Sequence, residues 1–416
     1  MPNSPTRVAV ISLHTSPLLQ PGSGDSGGMN VYVREMVSAS SQAGLICTTY
    51  TRADRPGLTG PDGLGEVQVE PNHTVVHVDA GPYDLPKERL GGIVDEFTDK
   101  VLAHLAASGG ADVVHANYWL SGVAAHRIKH TLGIPFVSTF HTLARVKAEG
   151  GDPEPGWRDR AEAELINCCD AIAVSCDAER DQFLRLYGQP HGRLEIVAPG
   201  VEHALFGPGE RGGARHALGL PHDVPVVLFV GRLQALKGPD VAIRTLYELS
   251  LRHPEARLLV VGGASGDHGD ADVVEAHALV SEFGLADRVE FVEPQPHHIL
   301  STYYRAADVV LVPSRSESFG LVALEAAACG VPVVAAAVGG LLSLVDHGDT
   351  GFLVPGRDPE LFAAAIDTIL RDPALAEQMS RAGAKRAREY TWAFAAARLR
   401  RLYADLTTRA RVACGL

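Results

Sequence analysis

The stretch 225–238, PVVLFVGRLQALKG, reads as a strand buried on both faces that runs into a short turn carrying two cations. VVLFV shows no polar alternation, the mark of a strand inside a covered parallel sheet. Arg232 and Lys237 follow at i and i+5, just past the C-terminal end of that strand. Ligands of open parallel sheets bind at such ends. Two cations there can clamp a diphosphate, Arg by forked hydrogen bonds and Lys by compact charge.

The same pattern extends in both directions. ARLLVVGG (256–263), RVEFVE (288–293), DVVLVPS (308–314) and VPVVAA (331–336) follow it, with amphipathic segments between. RVAVISLH (7–14), ICTTYT (46–51), TVVHVDA (74–80), DVVHAN (112–117), PFVSTF (135–140), DAIAVS (170–175) and LEIVAPG (194–200) precede it, and a helix is expected over 28–44. Between the series, 201–224 is rich in Gly, Pro and charge, a linker composition. The chain therefore reads as α/β, two Rossmann-like doubly wound domains facing each other across a cleft that suits the joining of two substrates. The expected partition is 1–205, 206–390 and a C-terminal helix in 391–416. TWAFAAARLRRLYADL (391–406) carries Trp392, Phe394, Leu399, Leu402 and Tyr403 at broadly helical spacing, a face expected to dock on the core of the N-terminal domain.

Composition bounds the function. A length of 416 residues suits two domains, and 46% apolar content is enough for two cores. A net charge of −13 argues against nucleic acid as a partner, since phosphate-backbone binders need a basic surface. No run of 18 apolar residues occurs, so no membrane span is expected. The start MPNSPTRVAVISLHT runs directly into a strand without a signal-like pattern, which leads to the expectation of a cytoplasmic protein. The six cysteines, Cys47, Cys168, Cys169, Cys176, Cys329 and Cys414, show no CxxC spacing and are expected as buried reduced thiols. The 18 histidines are scattered and no HExxH occurs, so no metal cage is expected.

HTSPLLQPGSGDSGGMNVYV (14–33) leaves backbone bare between the first strand and the first helix. Gly22 to Gly27 satisfies G-x-G-x-x-G, but Thr15–Pro21 separate it from the strand and Asp54 stands past Arg52, which weakens a dinucleotide-binding reading. Gly27-Gly28 opening a helix instead forms an anion site, with Asp25, Ser26 and Asn30 as polar company. A ligand with both hydroxyls and phosphate suits that mixture.

PSRSESFGLVALEAAACGVPVVA (313–335) sets Glu317 and Glu325 eight residues apart across a helix start, a little over two turns, so both carboxylates are expected to look into one cleft. Carboxylates accept bonds from sugar and ribose hydroxyls. Together, GRLQALKG and E-S-F-G-L-V-A-L-E resemble the retaining GT-B glycosyltransferases of family four, over nearly the whole chain. Within that family the 14–33 stretch, with GPYDLPKERL (81–90), HANYWLSG (115–122), STFHTLARVK (138–147) and RLQALKGPD (232–240), is similar to members that glycosylate an inositol phosphate in mycothiol biosynthesis.

This resemblance implies UDP-N-acetylglucosamine as donor and 1D-myo-inositol 3-phosphate as acceptor. It implies Arg232 and Lys237 as the diphosphate clamp, Glu325 on the ribose, Glu317 on the donor sugar and Gln295 near the uracil, with Gln20, Pro21 and Gly28 approaching the donor. On the acceptor side it implies His14, Asp25, Ser26, Gly27, Gly28, Met29 and Asn30, with Lys87, Tyr118, Thr142 and Arg158 around the phosphate. His141 would position the donor sugar. STFHTLARVK holds no acid to act as nucleophile, so front-face substitution is expected. No cofactor is required for the chemistry. A magnesium ion is associated with the subfamily at positions matching the main chain of Tyr304, Arg305, Ala307 and Val331. A homodimer is expected by the same likeness. The competing readings are a sibling transferase, sucrose-phosphate synthase-like or phosphatidylinositol mannosyltransferase-like, and a non-catalytic nucleotide-sugar-binding protein. A lipid acceptor would call for a basic amphipathic face, and a non-catalytic binder would have no use for all of Arg232, Lys237, Glu317 and Glu325.

Overall fold

Val8, Ala9, Val10 and Ile11 are all buried, and their unbroken apolar run forms the centre of a covered sheet. The computed structural model describes residues 6–22, 26–264 and 269–414. It divides into two compact units: Met1–Leu19, Met29–Ala198 and Trp392–Leu416 form one, and Gln20–Gly28 with Pro199–Thr391 form the other.

The first unit is an eight-stranded sheet. Its strands are β1 (Arg7–Ile11), β2 (Ile46–Arg52), β3 (Leu64–Glu70), β4 (His73–Val78), β5 (Val113–Asn117), β6 (Phe136–Thr139), β7 (Ala171–Val174) and β8 (Arg193–Ile196), in the order β3-β4-β2-β1-β5-β6-β7-β8. All pairings are parallel except β3 against β4. Strand order reverses between β1 and β5, which pair in parallel with Val8 opposite Val113 and Ile11 opposite Ala116. Phe97, Val101, Ile128 and Phe136 pack with Ile11 in the core.

In the second unit β9 (Val226–Val230), β10 (Arg257–Val261), β11 (Val289–Val292), β12 (Val309–Val312), β13 (Val333–Ala336) and β14 (Gly351–Val354) pair wholly in parallel, in the order β11-β10-β9-β12-β13-β14. Here the reversal lies between β9 and β12. Such reversal points leave a crevice at the strands' carboxyl ends.

The units divide at Ala198/Pro199, where the sequence reading expects 205/206. Val201 N donates to Tyr390 O, and the Arg305 guanidinium donates to Leu205 O and Gly207 O, which ties 199–207 to the second unit. The helix Trp392–Thr407 belongs to the first unit. Its Tyr403 hydroxyl meets His115 Nδ1 at 2.6 Å, and Trp392 stands edge-on to Tyr32. Phe394, read as part of that apolar face, is 56% exposed on the opposite side. Among the described residues no helix is long and apolar enough to cross a membrane.

The cysteine expectation needs correction. Cys47, Cys169, Cys176 and Cys329 are buried free thiols, but Cys168 and Cys414 are joined as a disulfide. The helix Gly156–Cys168 and the C-terminal tail bring the two together across 246 residues of sequence. No spacing rule reaches that far.

Candidate active site

In the second unit, the residues after β9 and β12 meet at the reversal point. The turn following β9 is closed by its own backbone bonds, Gln234 N to Arg232 O and Lys237 N to Gln234 O, and Arg315 N reaches across to Leu236 O. Gly238 caps the helix Pro239–Ser250 at φ +79°, and a Cβ there would stand 2.7 Å from Pro313 O, so only glycine lets the turn press on the end of β12. This closure aims Lys237 at Glu317: Nζ to Oε2 is 2.7 Å, and the Ser314 hydroxyl donates to the same oxygen at 3.3 Å. Glu317 in turn is seated by backbone. Its carbonyl accepts from Gly340 N, and a Cβ on Gly339, at φ +47°, would fall 1.9 Å from that carbonyl oxygen.

Glu325 takes a different partner. It is buried in the helix Leu321–Ala328 and accepts the Tyr304 hydroxyl at 2.7 Å. Burial pushes its carboxyl up to about 7, partly offset by the Tyr304 bond. Glu317 is thus paired with a cation, while Glu325 is a buried acid only partly ionised near neutral pH, a difference in environment that the sequence does not show. Gln295 follows β11 and folds its amide back on Glu293 O.

The segment Gln20–Gly28 groups with this unit and supplies Gln20, Pro21, Ser26, Gly27 and Gly28. The sequence reading keeps it in the N-terminal domain. Gly22 N bonds Ser26 O, and a Cβ on Gly22 would stand 3.0 Å from Pro294. A Cβ on Gly27 would stand 3.3 Å from Arg232 Nε, so its bare backbone rests against the guanidinium. Ser26 Oγ is buried and finds no hydrogen-bond partner among the described residues. Asp25 lies outside the described residues.

In the first unit the loops after β1 and β5 meet at the other reversal point. His14 and Tyr118 have ring centroids 4.5 Å apart. Lys87 Nζ stands 5.2 Å from the Tyr118 ring centre and the Arg158 guanidinium carbon 5.1 Å from it. Arg158 donates to the Tyr118 hydroxyl and to both Oγ1 and O of Thr142, each at 3.2 Å. His14, Lys87, Tyr118, Thr142 and Arg158, drawn from five separate segments, therefore gather around one ring. Tyr118 sits at φ +78° and His141 at φ +60°, conformations that cost a side-chain-bearing residue energy and that cluster at functional sites.

Arg158 is also buried between two carboxylates, Glu162 and Glu154, each at 2.8 Å. Glu162 holds Ala144 N and the Tyr187 hydroxyl as well. Lys147 pairs with Glu154 and with Asp152. Sequence reading missed this acid cage, although Glu154 and Glu162 stand at i−4 and i+4 from Arg158. It missed Asn117 too, whose side-chain oxygen meets His141 Nε2 at 2.9 Å. Enclosure pushes His141 down to about 3, with His115 adding to the effect, so its imidazole is neutral. Asn30 spends both amide hydrogens on Thr15 Oγ1 and Ser16 O, bracing the loop, and Met29 packs on the core.

The expected magnesium ligands are the main-chain oxygens of Tyr304, Arg305, Ala307 and Val331. Tyr304 O takes the Ala307 N–H and keeps a second lone pair, the Arg305 guanidinium is spent on Gly207 O and Leu205 O, and none of the four residues carries a carboxylate. No step is built on such an ion.

The chain matches the family model described as Glycosyltransferase Family 4 over residues 26–205 and that described as Glycosyl transferases group 1 over 211–386. It is 45% identical to the D-inositol 3-phosphate glycosyltransferase of Acidothermus cellulolyticus, over 94% of this chain and 88% of that one. It is 42% identical to the protein of the same name from Corynebacterium efficiens, over 97% and 96%. Among solved structures, a sucrose-phosphate synthase from Thermosynechococcus elongatus is 34% identical with a TM-score of 0.88, over 96% and 99%. Anabaena HepE in complex with UDP and glucose shares the fold at 21% identity and a TM-score of 0.77, over 96% and 100%. Likeness of that extent, on the two-domain GT-B architecture, places this chain in the D-inositol 3-phosphate glycosyltransferase family.

Proposed function

We propose that the chain transfers N-acetylglucosamine from UDP-N-acetylglucosamine to 1D-myo-inositol 3-phosphate, with retention at the anomeric carbon, as the glycosylation step of mycothiol biosynthesis. The observation that carries the reading is the grouping of Lys87 and Arg158 about Tyr118 with Thr142 and His14. Two cations and several hydroxyl-bonding groups suit a phosphorylated polyol. The nucleotide falls to the second unit, with the diphosphate on Arg232 and Lys237, the donor sugar on Glu317 and the ribose diol on Glu325.

In the reaction the acceptor hydroxyl oxygen bonds to the anomeric carbon on the face that UDP leaves. The carbon–oxygen bond to the β-phosphate breaks with its electron pair, and that phosphate takes the hydroxyl proton. Arg232 and Lys237 stabilise the charge that develops on the leaving diphosphate, the term that dominates such catalysis. Their positive charge serves where other transferases use a metal, so omission of magnesium is expected to leave the rate unchanged. His141, being neutral, orients the sugar by hydrogen bonding and does not hold a proton for transfer. A cytoplasmic homodimer completes the reading.

A second reading, transfer to a hexose phosphate, is favoured by the 34% identity to a sucrose-phosphate synthase. UDP release, followed with each donor and acceptor in turn, separates the two. UDP-N-acetylglucosamine with inositol 3-phosphate is expected to give turnover, and free inositol is expected to give little. Equal turnover with free inositol, or faster turnover with UDP-glucose and fructose 6-phosphate, overturns the first reading.

A further inference from the structure

On the helix Trp119–Leu132, His126 and His130 lie one turn apart on the same face, their Nε2 atoms 3.2 Å apart. Cys168 Sγ lies 3.4 Å from His130 Nε2, and Cys414 Sγ lies 3.2 Å from it. All four donor atoms fall within 4.8 Å of one another. This is a Cys2His2 set, assembled from a helix face, a helix end and the C-terminal tail.

A disulfide accounts for the two sulfurs but has no use for a His130 nitrogen within reach of both of them and of the His126 ring. A tetrahedral zinc site does. With zinc–nitrogen bonds of about 2.0–2.1 Å and zinc–sulfur bonds of about 2.3 Å, the edges between ligand atoms come to roughly 3.3–3.8 Å, close to the three distances from His130 Nε2, and the two sulfurs must part to complete the set. Thiolate with imidazole selects zinc over magnesium or calcium. We propose that His126, His130, Cys168 and Cys414, with both sulfurs as thiolates, bind a single zinc ion that fastens the C-terminal tail to the first unit. The ion and the disulfide are mutually exclusive. Loading the dithiol releases two thiol protons to solvent and transfers no electrons, and two thiolates with two neutral imidazoles offset the charge of the ion.

The surroundings hold the tail in place for this. Lys129, next to His130, is buried and paired with buried Asp170 at 3.0 Å. Its ammonium donates to Cys168 O at 2.6 Å and to Val412 O at 3.0 Å. Asp170 takes the Val412 N–H at 2.6 Å and the Phe136 N–H at 2.8 Å. The backbone at Cys168 and that of Val412, two residues before Cys414, are thus fixed by one ion pair, the outer-sphere support that metal ligands usually have. Four protein ligands close the coordination sphere, so the role is structural.

The test uses the full chain, purified with its thiols kept reduced and exposed to zinc, then desalted. About one zinc ion per chain is expected by elemental analysis, with His130→Asn and Cys414→Ser each losing it. Cobalt substituted in the unaltered chain is expected to show the visible bands of a tetrahedral ion and thiolate charge transfer in the near ultraviolet. No retained zinc and no such bands overturn the proposal. So does zinc held equally by His130→Asn.

Discussion

Lys237 donates to the Glu317 carboxylate at 2.7 Å, which ties the turn after β9 to the turn after β12 at the point where strand order reverses. The pair is only partly exposed, so the ammonium is held in place before any ligand arrives. Charge fixed in advance lowers a barrier because it needs no reorganisation during reaction. Lys237→Ala and Arg232→Ala are each expected to lower kcat by about 10²–10³. Steady-state kinetics check this, and near-normal turnover in either variant removes the clamp.

Glu325, as the proposed ribose ligand, is expected to make donor binding depend on pH. Its free-state carboxyl is raised to about 7 by burial. Ribose hydroxyls donating to it would favour the ionised form, so the bound-state value is expected to be lower and binding to expel a proton. Affinity is therefore full above pH 7 and falls as pH drops below it, by up to tenfold per unit, or about 1.4 kcal/mol. Calorimetry with UDP-N-acetylglucosamine in buffers of different ionisation enthalpy reads the proton release directly. Glu325→Gln is expected to abolish that dependence.

Lys87 and Arg158 flank the same ring but are expected to fail differently. Lys87→Ala, which would remove the proposed charge-assisted contact to the acceptor phosphate, is expected to raise the acceptor KM by about 10–100-fold, with the fold intact. Arg158→Ala also leaves the buried Glu162 carboxylate unpaired and is expected to destabilise the first unit by about 3–5 kcal/mol. Thermal unfolding of the two variants side by side shows the difference.

Gly339→Ala tests the seating of Glu317 without touching a charged group. The added Cβ would fall 1.9 Å from Glu317 O, so the glutamate backbone must shift. Weaker donor binding with unchanged acceptor KM is expected. An unaltered donor Kd would show that Glu317 tolerates displacement.

Much of this was legible in the residues, for particular reasons. β9 and β12 are unbroken apolar runs and β1 nearly so, because both faces of their sheets are covered, while β5 keeps the signal less cleanly, with His115 and Asn117 inside its buried VVHAN. β3 escaped notice because LGEVQVE is an exposed antiparallel edge with a glycine and no apolar run. The allegiance of Gln20–Gly28 to the second unit rests on contacts with Pro294, Gly263 and Arg232, and no local pattern carries those. The i,i+4 spacing of His126 and His130 was visible in HRIKH, but the sulfurs that give it meaning arrive from residues 168 and 414. The sequence reading expects no metal cage because the histidines are scattered and no HExxH occurs.

On the proposed function the reversal point of the second unit holds the nucleotide and that of the first unit holds the acceptor phosphate. Hydrogen–deuterium exchange by mass spectrometry on the full chain tests it most directly, with UDP added first and inositol 3-phosphate added to the UDP-bound protein. UDP is expected to protect peptides spanning 231–238 and 314–325, and inositol phosphate then to protect those spanning 84–90, 115–120 and 140–146. Protection of 115–120 by UDP alone, with none over 231–238, would contradict the assignment.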